Sequence, residues 1–148
     1  MAPRRISTTL PRMLLIFGLG TIHAPADLGP DAIKIVANPS VQISQISREE
    51  LERIFLLTKT SVPGADHLEP VLENNGPASD LFLRQYIRRT EVALMTYYRS
   101  LVFTGKAGIP KTFDSDLQVI RYVAKTKGAI GYVSGSADTT GVKPIKVG

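Results

Sequence analysis

The stretch with the richest chemistry is Leu68 to Arg89, LEPVLENNGPASDLFLRQYIRR. It reads as a short strand, a polar Asn74-Asn75-Gly76 turn, and an amphipathic helix starting near Pro77. The first turn of a helix leaves backbone N–H groups unpaired, and the helix dipole adds roughly half a positive charge there. A strand that passes through a glycine turn into such a start can hold an anion. The same turn is also the ordinary way to join a strand to a helix, and the residues alone leave both readings open. A second candidate is the loop Phe103 to Pro110, FTGKAGIP, which is basic and glycine-rich. It is not a P-loop. Ser100 stands where that pattern needs glycine, and Ala107 follows Lys106 where Ser or Thr is required.

Other chemistry is missing. His23 lies in the N-terminal leader, and His67 is the only other histidine. His67 adjoins Asp66, but sequence neighbours point apart and do not form a triad. No G-x-S-x-G elbow supplies a serine nucleophile. The chain has no cysteine, which removes disulfides, thiolate ligands and thiol nucleophiles. No HExxH, no Cys/His spacing and no EF-hand loop occurs. The expectation is a protein that is not an enzyme and uses neither cofactor nor metal.

The chain has 148 residues, enough for one domain with a real core. At 43% hydrophobic and 21% charged its composition is that of an ordinary globular protein. Its net charge is +5, but Arg4, Arg5 and Arg12 lie in an acid-free stretch, residues 1–26, so the remainder carries only +2. That is too mild to point to nucleic acid. Residues 1–12 are basic, and Met13 to Ile22 is a run of ten mainly apolar residues. His23-Ala24-Pro25-Ala26 then supplies small residues in A-x-A order. This is the layout of a secretory signal peptide, cut after Ala24 or Ala26. The run is shorter than the roughly 20 residues a membrane span needs. Residues 1–26 therefore read as signal peptide and residues 27–148 as one exported, periplasmic domain.

The elements that must position the turn follow in order. Ala32 to Ala37 is a β-branched strand, stopped at Asn38-Pro39-Ser40. Ser47 caps a short helix, with Glu50 three residues on and Ile46 and Leu51 as its staple. Leu51, Ile54 and Phe55 form its buried stripe. In the focal helix Phe82, Leu83, Tyr86 and Ile87 share one face, and Asp80, Arg84, Gln85, Arg88 and Arg89 the other. Thr90 caps a helix from Glu91 to Leu101, with Leu94, Met95, Tyr98, Leu101 and Val102 inward. Pro110 to Phe113 is a short strand. Ser115 caps a helix to Lys125, with Leu117, Ile120, Val123 and Ala124 inward and Gly128 as its stop. Ala129 to Val133 is a buried strand. Val142 to Val147 is a last strand that Pro144 confines to an edge. Alternating strands and helices make the class α/β, with a small, mostly parallel or mixed sheet flanked by helices. In such sheets ligands bind beyond the carboxyl ends of the strands. That rule places the Glu73–Ser79 turn and Asn38 on one candidate face.

The order strand–Asn-Pro, SREELERIF (47–55), EPV (69–71), G-P-x-S-x-x-F (76–82), LVFTGKAGIP (101–110) and KGAIGYV (127–133) resembles the phosphate-type periplasmic substrate-binding proteins of ABC transporters. The resemblance spans about residues 32–134 and is closest to short, single-lobe members. It implies a type II periplasmic-binding-protein (Venus-flytrap) lobe that is exported and non-enzymatic. In the full-length family two lobes close on a phosphate. One lobe gives an Arg followed by a G-S-G-T turn at a helix start. Here the matching turn is Gly76-Pro77-Ala78-Ser79. Gly76 fits the first glycine, and Ser79 keeps the last hydroxyl. Pro77 has no N–H to offer, Ala78 replaces the second glycine, and the Arg position falls at Leu72 or Glu73. Glu73 repels an anion where a bidentate Arg would grip it.

The candidate ligand set is therefore Asn75, Gly76, Ala78 and Ser79, with Asn38 and Lys106. Two functions from different classes follow. One is a solute-binding module holding phosphate or a similar oxyanion, completed by Lys106 or by a second protomer of a homodimer, and serving an ABC permease. The other is an envelope interaction or sensor module that keeps the half-lobe fold and uses its old cleft for a protein partner.

Overall fold

A computed structural model describes residues 32–74 and 76–148. The leader and Asn75 lie outside the described residues. The strands are β1 (Ile33–Ala37), β2 (Gln45–Ile46), β3 (Glu69–Glu73), β4 (Lys111–Phe113), β5 (Ala129–Ser134) and β6 (Lys143–Val147). The α-helices are α1 (Arg48–Phe55), α2 (Pro77–Phe82), α3 (Glu91–Phe103) and α4 (Asp116–Lys125).

The strands form one mixed sheet in the order β2-β6-β1-β5-β3-β4. β5 and β4 run parallel to β3, whereas β1 is antiparallel to β5 and to β6. Successive side chains of a strand face opposite ways, so each strand feeds two layers. Ile35, Ala37, Leu72, Ile130 and Tyr132 pack against α1, α2 and α3 through Leu51, Phe55, Phe82, Leu94 and Tyr98. Val36, Val71 and Val133 pack against α4 through Val119, Ile120 and Val123.

The capping signals operate as expected. The side chains of Ser47, Thr90 and Ser115 accept from the amides of Glu50, Ala93 and Gln118. Gly128 ends the turn after α4 at φ +76°, and a Cβ there would overlap the His67 carbonyl.

Four expectations need correction. The focal helix is not a single α-helix. After Phe82 it widens into a π-helical turn, Leu83–Ile87, closed by the Arg88 N–H on the Leu83 carbonyl at 2.6 Å, with Arg88 left-handed at φ 54°. The turn keeps Leu83 and Ile87 inside together, and Arg48 takes the Gln85 carbonyl at 2.6 Å. Leu117 is 55% exposed and Val119 is inside instead. Two residues apart on a helix is about 200°, so both cannot face the sheet. Val102 is likewise exposed, because α3 buries only Leu94 and Tyr98 fully. Lastly, β6 is not an edge strand, since β2 lies beyond it. Pro144 is tolerated because β2 pairs only with Lys146 and Val147. Lys146 donates to Ser44 on that side, so Pro144, two residues earlier, turns its missing N–H the same way, past the end of β2.

Asn38 holds α4 to the sheet. Its Nδ2 donates to the carbonyls of Val123 (2.7 Å) and Ala124 (3.0 Å), and its Oδ1 accepts from the Ser40 N–H (2.9 Å). Asn38→Ala should lower stability by about 2–3 kcal/mol in urea denaturation, because it orphans buried carbonyls. A loss within about 0.5 kcal/mol would show these bonds to be dispensable.

Candidate functional site

The carboxyl ends of β3, β4 and β5 point the same way, and the starts of α2 and α4 meet them there. β3 ends at Glu73. Its backbone is clamped by Tyr132: the Glu73 N–H donates to the Tyr132 hydroxyl at 3.1 Å, and that hydroxyl donates to the Glu73 carbonyl at 3.0 Å. The Tyr132 ring stacks on Phe82 of α2, with centroids 4.0 Å apart and planes 9° apart. The turn that leads into α2 is thus fixed from below by one aromatic residue of β5.

Gly76 is the N-cap of α2, with Pro77 at the first helical position. The Ser79 N–H donates to the Gly76 carbonyl at 3.0 Å. Pro77 has no N–H, and among the described residues the N–H groups of Gly76 and Ala78 have no hydrogen-bond partner. Ala78 and Ser79 are both buried. Ser79, Glu73, Tyr132, Leu83 and Glu91 line a cavity of only about 10 Å³. That is the size of a single water site, so the cavity behind Ser79 has no room for an oxyanion.

Glu73 crowds the turn. The residue is 6% exposed, and its Oε1 lies so close to Gly76 that a Cβ there would overlap it. Its Oε2 has no hydrogen-bond partner among the described residues. The Asp116 carboxyl at the start of α4 stands beside it and also accepts from the Ser134 N–H at 2.9 Å. Burial, and then the neighbouring Asp116, push Glu73 up to about 8 from an ordinary 4.5. Glu73 is therefore neutral at pH 7 and does not repel an anion as an ionised side chain would.

The structure gathers Gly76, Ala78 and Ser79 at this sheet end, while Asn75 lies outside the described residues. It does not bring Asn38 or Lys106 to them. The expectation that Asn38 shares their face assumed that β1 runs with β3. In fact β1 is antiparallel to β5, and the Asn38 N–H meets the Ala129 carbonyl at the amino end of β5 (2.8 Å). Asn38 thus sits roughly 17 Å away, a strand's length, with its side chain already bonded. α3 starts beside Ser79 with Glu91 and Leu94 and runs 13 residues from there. Lys106 follows its far end, bonded to Leu101, roughly 20 Å from the turn. Asp116 and Tyr132 went unread in the sequence: one looks like any first-turn acid, the other like any buried strand residue. Among the described residues no group of three or more metal-ligating side chains forms.

No protein-family model matches the chain, and no curated protein matches it by sequence. Solved structures do match it by shape. One is a Clostridium perfringens protein described as a phosphate ABC-transporter substrate-binding protein, with phosphate bound (TM-score 0.61, 17% identity). Others are PstS from Borrelia burgdorferi (0.60, 19%) and an ABC-type phosphate transport receptor from Vibrio cholerae (0.52, 21%). The fold is that of phosphate-type substrate-binding proteins. Each match covers 78% of this chain but only 44–47% of the other, so the chain spans under half the length of the proteins it resembles. That share agrees with a single lobe.

Glu73 makes a stability prediction. In the fold it holds its proton up to about pH 8, whereas unfolded it releases it near 4.5. Between those values the native state binds more protons, so its contribution is full below 4.5 and is lost as pH rises through 8. The slope is at most about 1.4 kcal/mol per pH unit. Urea denaturation of wild type against Glu73→Gln should show the wild type losing ground steadily from pH 5 to pH 8. Parallel pH profiles for the two proteins would refute the shift.

Proposed function

We propose that this protein is an exported solute-binding lobe that takes a small oxyanion, phosphate or a close relative, at the Gly76–Ser79 turn. It acts for or alongside an ABC transporter, with a permease as partner. The observation that carries the reading is the likeness of the fold to proteins described as phosphate receptors, one with phosphate bound. The position of the turn supports it: a glycine N-cap at the carboxyl end of β3, where α/β sheets take ligands. The Ala78 N–H and the Ser79 hydroxyl are its donors, joined by Asn75. The leader pattern of residues 1–26 supports export and a mature domain of residues 27–148. A second lobe, from another chain or from a second copy in a homodimer, closes the ligand from the other side.

One observation favours a second reading, an envelope interaction or sensor module without tight ligand binding. A buried Glu73 carboxyl crowds the turn, and the far end of the lobe exposes Phe103 (95%), with Val102 and Ile109.

Thermal unfolding against phosphate, sulfate and chloride at constant ionic strength separates the two. A ligand that binds only the native state adds RT ln(1 + [L]/Kd), about 2.7 kcal/mol at a hundredfold excess over Kd. We expect a rise of a few degrees with phosphate, none with chloride, and a smaller rise in Ser79→Ala. No rise with any oxyanion at millimolar concentration would sink the first reading in favour of the second.

A further inference from the structure

We propose that the Glu73 side chain is an autoinhibitory plug on the Gly76–Ser79 turn, buried against Gly76 with one carboxyl oxygen unpartnered among the described residues. The inference rests on the oxyanion reading above and adds the device that regulates the site.

The geometry is that of a lid rather than a ligand. The carboxyl lies against Gly76 at the start of α2, yet among the described residues no N–H of Gly76, Ala78 or Ser79 donates to it. One oxygen meets Gly76, the only residue type that admits it there, and the other oxygen is buried and unpartnered. Among the described residues, every titratable group that faces it is an acid: Asp116 from α4, Glu91 from α3 and the Tyr132 phenol from β5. α2 and β4 present Ser79 and Thr112, which carry no charge. The one ion pair among the described residues, Lys59–Glu50, involves none of these groups.

A carboxylate with no cation beside it does not stay buried. The neutral acid does, because it carries no charge that burial would leave unsolvated. When the proton leaves, two like charges face each other in a dry site, and the side chain swings out. Only the side chain needs to move, since Tyr132 pins both backbone groups of Glu73. Its exit opens the helix start that an oxyanion needs.

Calorimetric titration with inorganic phosphate at pH 7 tests this on three proteins. Glu73→Ala, with the plug removed, should bind roughly tenfold tighter than wild type or better. Glu73→Gln keeps the shape and should bind no tighter than wild type. A second readout covers the proton. From roughly pH 5 to pH 9, the Glu73 carboxyl carbon and the Ala78 amide should shift together in NMR, with one midpoint well above the usual glutamate range. In Glu73→Gln the Ala78 amide should stay still. If wild type binds phosphate and Glu73→Ala binds no tighter, the plug is wrong while the oxyanion reading stands. If neither protein binds, the oxyanion reading falls and the plug falls with it. A Glu73 midpoint in the usual range would overturn the dependence of the plug on its proton.

Discussion

Tyr132 is the residue on which the sheet end depends. It lies at the centre of β5, the strand that pairs antiparallel with β1 on one side and parallel with β3 on the other. Its ring supports α2 through Phe82 and approaches Phe55 of α1 at 6.0 Å. Its hydroxyl satisfies both backbone groups of Glu73, which the end of a strand would otherwise leave buried without partners. One side chain thus sets where β3 stops, how α2 leaves it, and where the Glu73 carboxyl must lie. On the other face Gly131 has the matching role. A side chain there would strike Val71 and Val119, so its absence lets α4 lie close on the sheet.

Much of this fold was legible from local signals. The three capped helices begin where Ser47, Thr90 and Ser115 predict, because a cap needs only its own hydroxyl and an amide three residues on. The strands Ile33–Ala37, Glu69–Glu73 and Ala129–Ser134 lie where the sequence reads strands at Ala32–Ala37, ahead of the Asn74–Gly76 turn and at Ala129–Val133. What failed was non-local. Alternation and composition do not say which way a strand runs, and the antiparallel course of β1 sends Asn38 to the wrong end. A helical periodicity does not reveal a π-turn, which depends on Leu83 and Ile87 meeting one packing surface. The site was half legible. Its glycine cap and serine hydroxyl stand in the sequence. Asp116 and Tyr132 reach Glu73 across 43 and 59 residues of chain, beyond any local pattern.

The sequence also suggested that Glu73 must repel an anion. That holds for the ionised side chain in water. Burial reverses it, because the cost of a buried charge next to another carboxyl is met by keeping the proton. The chain therefore combines a helix start suited to an anion with an acid neutral enough to sit on it. The fold alone does not decide which of the two governs function, since one fold serves many sites. We propose the turn as the ligand site because it lies at the carboxyl end of parallel strands.

The most direct measurement is an amide NMR map of the protein titrated with inorganic phosphate. If the carboxyl end of β3 is the ligand site, the amides of Gly76, Ala78 and Ser79 should shift saturably, with those of Ser115 and Asp116 following. Chloride at the same ionic strength should leave them in place. Saturable shifts confined to the opposite end, around Asn38 and Gly128 or around Lys106, would contradict the account, as would a spectrum that phosphate does not alter.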